Sequence, residues 1–320
     1  MSFISKNKNQ LLITSVLFCL WSFFVVLAPE AFLSPDIYIS FMSTVPFITI
    51  VAVGMTLVVI TGEMDLSFAS NMAMSGFVFA YVSTHTASFA FGLAAGLAAG
   101  TVIGILNGIV ITATGVPAIV ATIGFDFLWR GCVMLLSDGT AIPLAFLRES
   151  ASAALFTGRL FNTIPLQSIW ALLFAAAASL IYHRTSWGDS LRFIGDNREV
   201  AKMMGLSVER SRVAVFAFLG FAAAFSGILA TSEMANWWPT QGDGYLLLVF
   251  ASVFIGGTSV YGGTGTIWGT LIGSVIMGII EAGIVSSGWS GFWTSFVDGL
   301  VLLISVSFYA LVSKKRRSGR

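Results

Sequence analysis

A few ionisable residues interrupt long apolar stretches of this sequence, and their types limit the chemistry available to it. Asp126 and Arg130 are spaced i, i+4, so they share one face of a helix, and we predict a structural ion pair rather than a substrate contact. Glu63 and Asp65 stand in a glycine-containing break in the apolar pattern. We expect Asp65 to accept hydrogen bonds from the backbone amides that follow it, in preference to hydroxyl groups of a bound molecule.

The motifs of familiar catalytic sites are missing. There is no HExxH, GxSxG or CxxC sequence, and no Gly-Lys dipeptide, so the chain has no Walker A loop to bind phosphate. The two histidines are far apart in the sequence, which argues against a metal site. We therefore predict that the chain is not an enzyme and holds no metal or cofactor. Any ATP chemistry must come from another chain.

The composition indicates a membrane protein. Apolar residues make up 57% of the chain and charged residues only 10%, and the 28 phenylalanines outnumber the 15 aspartates and glutamates. Soluble domains carry roughly 25% charged residues, so lipid must be the solvent for most of this chain. The same composition excludes collagen-like, disordered and nucleic-acid-binding proteins.

Ten apolar stretches are long enough to cross a membrane as helices, which predicts an all-α, polytopic membrane protein. If both termini are cytoplasmic, only Arg148 and Arg159 fall in outer segments. This positive-inside bias favours ten spans over nine or eleven. The predicted spans lie near residues 11–28, 42–61, 67–84, 89–112, 116–136, 165–183, 213–232, 246–262, 267–286 and 291–312.

Glycine shapes several of these spans. From Gly92 to Gly108 a glycine recurs at every fourth residue, which predicts a bare ridge for close helix packing. Two other glycine-rich segments, 61–67 and 255–265, predict breaks where the backbone is unwound. Spans 2–5 and 7–10 are four helices each, and their opposite directions predict two halves of inverted topology, as in many transporters.

The chain is predicted to form one transmembrane domain over residues 1–320, with two longer polar segments. Segment 137–164 is expected on the outer, periplasmic side, either as a plain connector or as a docking surface. Segment 185–212 is expected in the cytoplasm because it carries five of the arginines and lysines.

The inner segment contains the sequence pattern of a short helix. Asp196 or Asn197 can cap its first turn and Gly205 can end it, which predicts a helix over Arg198–Met204. This helix places apolar side chains beside charged ones at the membrane surface. We interpret this helix as a protruding contact that inserts into a cytoplasmic partner. Its apolar contact residues would be Val200, Met203 and Met204.

Four motifs, in this order, resemble those of one family. Segment 54–67 reads GMTLVVITGEMDLS, similar to the family's GxxxVIxTGGIDLS, and 122–131 is similar to its TLG…RG stretch. Segment 195–206 matches GxN…A…G(I/L), and 256–270 matches GGTSxxGGxGxxxGT. From about residue 45 onward, the sequence therefore resembles the permease subunits of bacterial monosaccharide ABC importers, typified by the ribose permease.

This resemblance implies a permease subunit of the bacterial inner membrane that imports a monosaccharide or related polyol. It also implies three partners: a cytoplasmic ABC ATPase that uses the ATP, a periplasmic sugar-binding protein, and a second permease chain, identical or different. Segment 185–212 would be the coupling loop seated in the ATPase. The coupling residues it implies are Asn197, Ala201, Met204, Gly205 and Leu206.

Two residues depart from the family pattern. Glu63 replaces a glycine of the GGIDLS motif, and Leu246 stands where members usually have glutamate, so that acid is either lost or replaced by nearby Asp243. The polar residues expected along the translocation path are Asp65, Ser67, Asn71, Asn107 and Thr122.

An ion-coupled secondary transporter of a small polar solute is the alternative function. The two halves of inverted topology favour it, because many secondary transporters are built from such repeats. Carboxylates within the predicted spans or at their breaks favour it as well, since such groups can bind or relay ions. These residues are Asp65, Asp126, Glu281 and Asp298.

Overall fold

The computed structural model describes residues 8–318, and most of them are helical. The two chain ends, residues 1–7 and 319–320, whose predicted side is the cytoplasm, lie outside the described residues. In chain order the helices are α1 (Lys8–Leu27), α2 (Pro29–Phe32), α3 (Pro35–Ile60), α4 (Phe68–Thr86), α5 (Phe89–Thr114), α6 (Ala118–Ser137), α7 (Ala151–Thr157), α8 (Leu166–Arg184), α9 (Ser186–Asp196), α10 (Arg198–Met203), α11 (Val208–Met234), α12 (Tyr245–Ile255), α13 (Ile267–Ser286) and α14 (Phe292–Ser318).

The helices confirm an all-α, multi-pass membrane protein. Within the described residues, six of them (α3, α5, α6, α8, α11 and α13) are long and apolar enough to cross a membrane, and α1, α12 and α14 contain shorter apolar stretches. Each of the ten predicted spans overlaps one helix. Ten crossings remain a prediction, because length and composition support six.

Helix α3 lies at the centre of the bundle, and its residues 45–60 are buried without interruption. Two hydroxyl pairs join it to α13: Thr49 shares a hydrogen bond of 2.7 Å with Ser274, and Thr56 shares one of 2.7 Å with Thr270. Hydroxyl groups in an apolar interior need such partners, so these pairs fix how α3 and α13 face each other.

The predicted glycine ridge on α5 is a packing surface, because all five of its glycines are buried. A Cβ on Gly104 would collide with the Phe216 carbonyl of α11, and a Cβ on Gly100 would collide with Ala224 of α11 and Ser75 of α4. Gly220 of α11 in turn lies against the Gly100 carbonyl. The absence of side chains therefore lets α5 and α11 approach backbone to backbone.

We call the end of the bundle that carries residues 185–212 the coupling end. Two helices, α9 and α10, occupy this segment where the sequence predicted one. Thr185 caps α9 by accepting a hydrogen bond from the Gly188 N–H at 3.2 Å. Helix α11 begins at Val208, five residues before the predicted span, so much of the predicted loop is helical.

The two glycine breaks both lie at the coupling end and contact each other. Helix α3 ends with Gly62 at φ +78°, and α12 ends in the same way with Gly257 at φ +87°. The Gly263 N–H of the second break donates to the Ile60 carbonyl at 2.8 Å. Repeats of inverted topology would place equivalent breaks at opposite ends, so these two breaks are not related by such a repeat.

The opposite end contains segment 137–164, which is folded rather than a plain connector. A 3₁₀ turn at Ala145–Glu149 and helix α7 form part of it. Four two-residue strands make two antiparallel pairs, β1 with β4 and β2 with β3; they are β1 (Ile142–Pro143), β2 (Arg159–Leu160), β3 (Ile164–Pro165) and β4 (Asn236–Trp237).

Candidate translocation and coupling sites

The five predicted path residues lie close together around the start of α4. Asp65 Oδ1 accepts hydrogen bonds from the Ser67 N–H at 2.7 Å and the Ser67 hydroxyl at 2.6 Å, which confirms the expected local cap. Asn107 of α5 donates from Nδ2 to Ser67 Oγ at 2.8 Å. Thr122 of α6 accepts from the Leu66 N–H at 3.1 Å. Three helices are therefore joined through one polar network.

Asn71, the fifth of these residues, and Trp129 extend the polar network. Asn71 donates to the Gly100 carbonyl at 3.1 Å and accepts from the Ser75 hydroxyl at 2.9 Å. Trp129 of α6 donates from Nε1 to Asn107 Oδ1 at 3.2 Å. The sequence analysis missed Trp129. Its signal was an indole N–H within an apolar span, a donor that needs a partner.

The polar network is closed in this conformation. All five predicted path residues are at most 3% exposed, and none of them has a buried side-chain nitrogen or oxygen without a partner. Burial raises the pKa of Asp65, which lies between α3 and α4, to about 6, and the hydrogen bonds from Ser67 offset part of that rise. The network here holds helices together and does not line an open path.

Arg130 forms a different ion pair from the predicted one. Its Nη2 lies 2.6 Å from Asp243 Oδ1, and its Nη1 donates to the carbonyls of Pro239 and Gln241 at 2.6 and 3.2 Å. The predicted pair with Asp126 is wrong, since Asp126 Oδ1 is buried without a hydrogen-bond partner. A guanidinium donates in several directions at once, and segment 239–243 offers it three oxygens.

The helix predicted over Arg198–Met204 is present as α10, which ends one residue earlier; its coupling role stays a prediction. Asn197 caps it, because its Oδ1 accepts from the N–H groups of Glu199 at 3.0 Å and Val200 at 3.1 Å. Gly205 follows the helix at φ +81°, a left-handed conformation that glycine adopts without strain.

Helix α10 has an outer and an inner face. Met203 and Met204 are 79% and 59% exposed, whereas Ala201 is buried against Ile194 and Val208. Leu206 packs against the same inner cluster. Of the five predicted coupling residues, only Met204 therefore offers a large exposed apolar side chain to a partner. Met203 is not one of those five, but the sequence analysis named it as an apolar contact. It is the most exposed of the three apolar side chains on this surface.

This fold and these sites define a multi-pass transport permease, a bundle with a buried polar network and a short, partly exposed helix, α10, at one end. The chain belongs to the family described as branched-chain amino acid transport system / permease component, whose model matches residues 37–306.

Relatives of known function agree with this family. The ribose import permease RbsC of Bacillus subtilis is 34% identical over 86% of this chain and 85% of its own length. RbsC of Escherichia coli K12 is 31% identical over 84% and 82%. The autoinducer 2 import permease LsrC of Yersinia pestis is 32% identical over 95% and 85%. No solved structure matches the chain. Nothing in these comparisons favours an ion-coupled transporter.

Proposed function

We propose that this chain is the permease subunit of an ATP-driven importer for a monosaccharide or related polyol. The observation that carries the proposal is its similarity, over most of its length, to permeases named for ribose and autoinducer 2 import. The polar network suits such a solute, because hydroxyl, carboxamide and carboxylate groups can exchange hydrogen bonds with sugar hydroxyls. Asp65, Ser67, Asn71, Asn107 and Thr122 would line the path once the network opens.

In this proposal α10 seats in a separate ABC ATPase on the cytoplasmic side, where both termini also lie. Met203, and Met204 directly after the helix, are exposed and suit that contact, since flexible thioether side chains adapt to an apolar pocket. A binding protein loaded with solute docks on the opposite end, which includes segment 137–164. ATP hydrolysis by the partner then moves α10, and the helices around the polar network separate.

A second permease chain, identical or homologous, would cover one face of α6 in the assembled importer. Helix α6 is the least buried of the six long apolar helices. Phe127, Gly131 and Leu135 recur at every fourth residue and are all exposed. Unlike the ridge glycines of α5, Gly131 has no atom within 4 Å of a Cβ built on it. Because no atom of this chain fills the space beside Gly131, a helix of another chain can approach closely there.

Gly131→Leu is expected to lower assembly of the permease pair by roughly tenfold, because it overpacks a close helix contact. The matched control is Gly299→Leu on α14, where a Cβ also meets nothing within 4 Å. Crosslinking in membranes, followed by size-exclusion chromatography in detergent, measures the pair. Equal pairing by both variants would place the second chain elsewhere.

Uptake by the reconstituted importer tests the proposed function. The permease, its ATPase and its binding protein are placed in proteoliposomes, and entry of radiolabelled ribose is measured. We expect uptake that requires ATP and the binding protein and that continues when ionophores remove all ion gradients. Uptake driven by an ion gradient in the permease alone would establish the secondary transporter instead.

A further inference from the structure

Glu63 is a buried carboxylate shared by two arginines. It follows the cap of α3, and its side chain is 5% exposed. Its Oε1 accepts from Arg212 Nη2 at 2.6 Å and from Arg198 Nη2. Arg198 Nη2 also donates to the Thr61 carbonyl at 3.4 Å. A carboxylate this deeply buried needs compensating charge, and both arginines supply it.

The three charged residues come from three different elements. Glu63 belongs to the break after α3, Arg198 is the first residue of α10, and Arg212 lies in the second turn of α11. They line a cleft of about 600 Å³ at the coupling end, which also reaches the connection between α5 and α6 at Pro117. The cluster therefore links the coupling helix to both central helices, α3 and α11.

The cluster also adjoins the polar network. Asp65 is two residues beyond Glu63 on the same break, and the Leu66 N–H is bound to Thr122 of α6. On the other side, the backbone of Gly195, at the end of α9, lies so close to the Ile60 carbonyl that a side chain would not fit. The end of α3 thus contacts the α9–α10 pair directly, with Glu63 as the charged part of that contact.

We propose that Glu63 is the positioning residue that transmits movement of α10 to the break after α3 and hence to the polar network. The proposal rests on the proposed function, because it assigns α10 as the part moved by the ATPase. Arg198 is 39% exposed, but the Glu63 carboxylate is only 5% exposed, so a displacement of Arg198 removes charge compensation from a buried group and pulls on the break after α3. The family motif has a glycine, without a charged side chain, where this chain has Glu63. The transmission is therefore expected of this chain in particular.

A second ion pair at the same cleft provides a matched control. Lys202 of α10 and Glu209 of α11 lie 2.8 Å apart, and their side chains are 49% and 57% exposed. The hydrogen bond with Glu209 raises the pKa of Lys202. Water screens exposed pairs, so they hold elements together weakly. Glu209→Gln therefore removes one acidic charge from the same cleft without disturbing the buried cluster.

The test compares Glu63→Gln with Glu209→Gln in the complete importer in proteoliposomes. We expect Glu63→Gln to lower the solute imported per ATP hydrolysed by about tenfold, while hydrolysis itself changes little. Glu209→Gln is expected to keep the wild-type ratio. Arg198→Gln, which leaves the buried Glu63–Arg212 pair intact, is expected to reproduce the loss even if Glu63→Gln folds poorly.

Hydrogen exchange on the permease alone separates this proposal from the proposed function. In detergent, Glu63→Gln and Arg198→Gln should speed exchange of the α10 amides, and Glu209→Gln should not. An importer without ATP-driven uptake would refute the proposed function but leave this measurement intact. Wild-type exchange in α10, or a wild-type transport ratio, for both Glu63→Gln and Arg198→Gln would overturn the role of Glu63.

Discussion

Met203→Glu is expected to abolish ATP-driven uptake while the permease still folds and enters the membrane. The side chain is 79% exposed, so the substitution disturbs nothing inside the chain. At an apolar contact with the ATPase, a carboxylate would be buried without a partner, at a cost of about 3–5 kcal/mol. A cost of that size corresponds to roughly a hundredfold or greater loss of affinity.

Co-purification of the ATPase with the permease measures this effect, together with uptake in proteoliposomes. Met234→Glu is the matched control, because Met234 is 52% exposed but lies at the opposite end of the bundle. It should retain the ATPase. Normal ATPase binding by Met203→Glu would show that α10 is not the contact. Ala201→Glu is a weaker test, since Ala201 is buried and its substitution disrupts the permease itself.

Gly104→Leu is expected to prevent the bundle from folding. A Cβ at this position meets the carbonyl oxygen of Phe216 and the Cα of Ala217, and backbone atoms cannot move aside as a side-chain end can. Overpacking of a close-packed core costs about 1–3 kcal/mol, and here two central helices would have to separate. We therefore expect a loss of at least about 3 kcal/mol of stability.

Thermal unfolding in detergent and the yield of monodisperse protein measure the effect of Gly104→Leu. Gly299→Leu serves as the control, since a Cβ there meets nothing within 4 Å. Gly104→Ala should fall between the wild type and Gly104→Leu. A Gly104→Leu protein with the melting temperature of the control would mean that α5 and α11 do not pack through this ridge.

Local patterns in the sequence were sufficient for much of this structure. The apolar stretches located the long helices, and the spacing of glycines on α5 located a packing face, because both depend on residues close together in the chain. Asn197 and Gly205 bounded α10 for the same reason. The five path residues were also brought together, although the sequence did not show that they would be closed off from solvent.

Partners distant in the sequence could not be predicted. Arg130 binds Asp243 rather than Asp126, and Glu63 binds Arg198 and Arg212, because only the tertiary fold brings these groups together. Spacing identified a possible partner four residues away but gave no information on one more than a hundred residues away. Helix α9 was missed because two glycines weaken its local helical signal.

The closed polar network around Asp65 has a consequence for the ion gradients across the membrane. While a permease is in its resting state, protons or sodium ions could leak across the membrane through any water-filled path in it. The five path side chains are at most 3% exposed and leave no fully buried nitrogen or oxygen without a partner, so they offer water few places to bind. An idle subunit of this kind would leave the membrane potential intact.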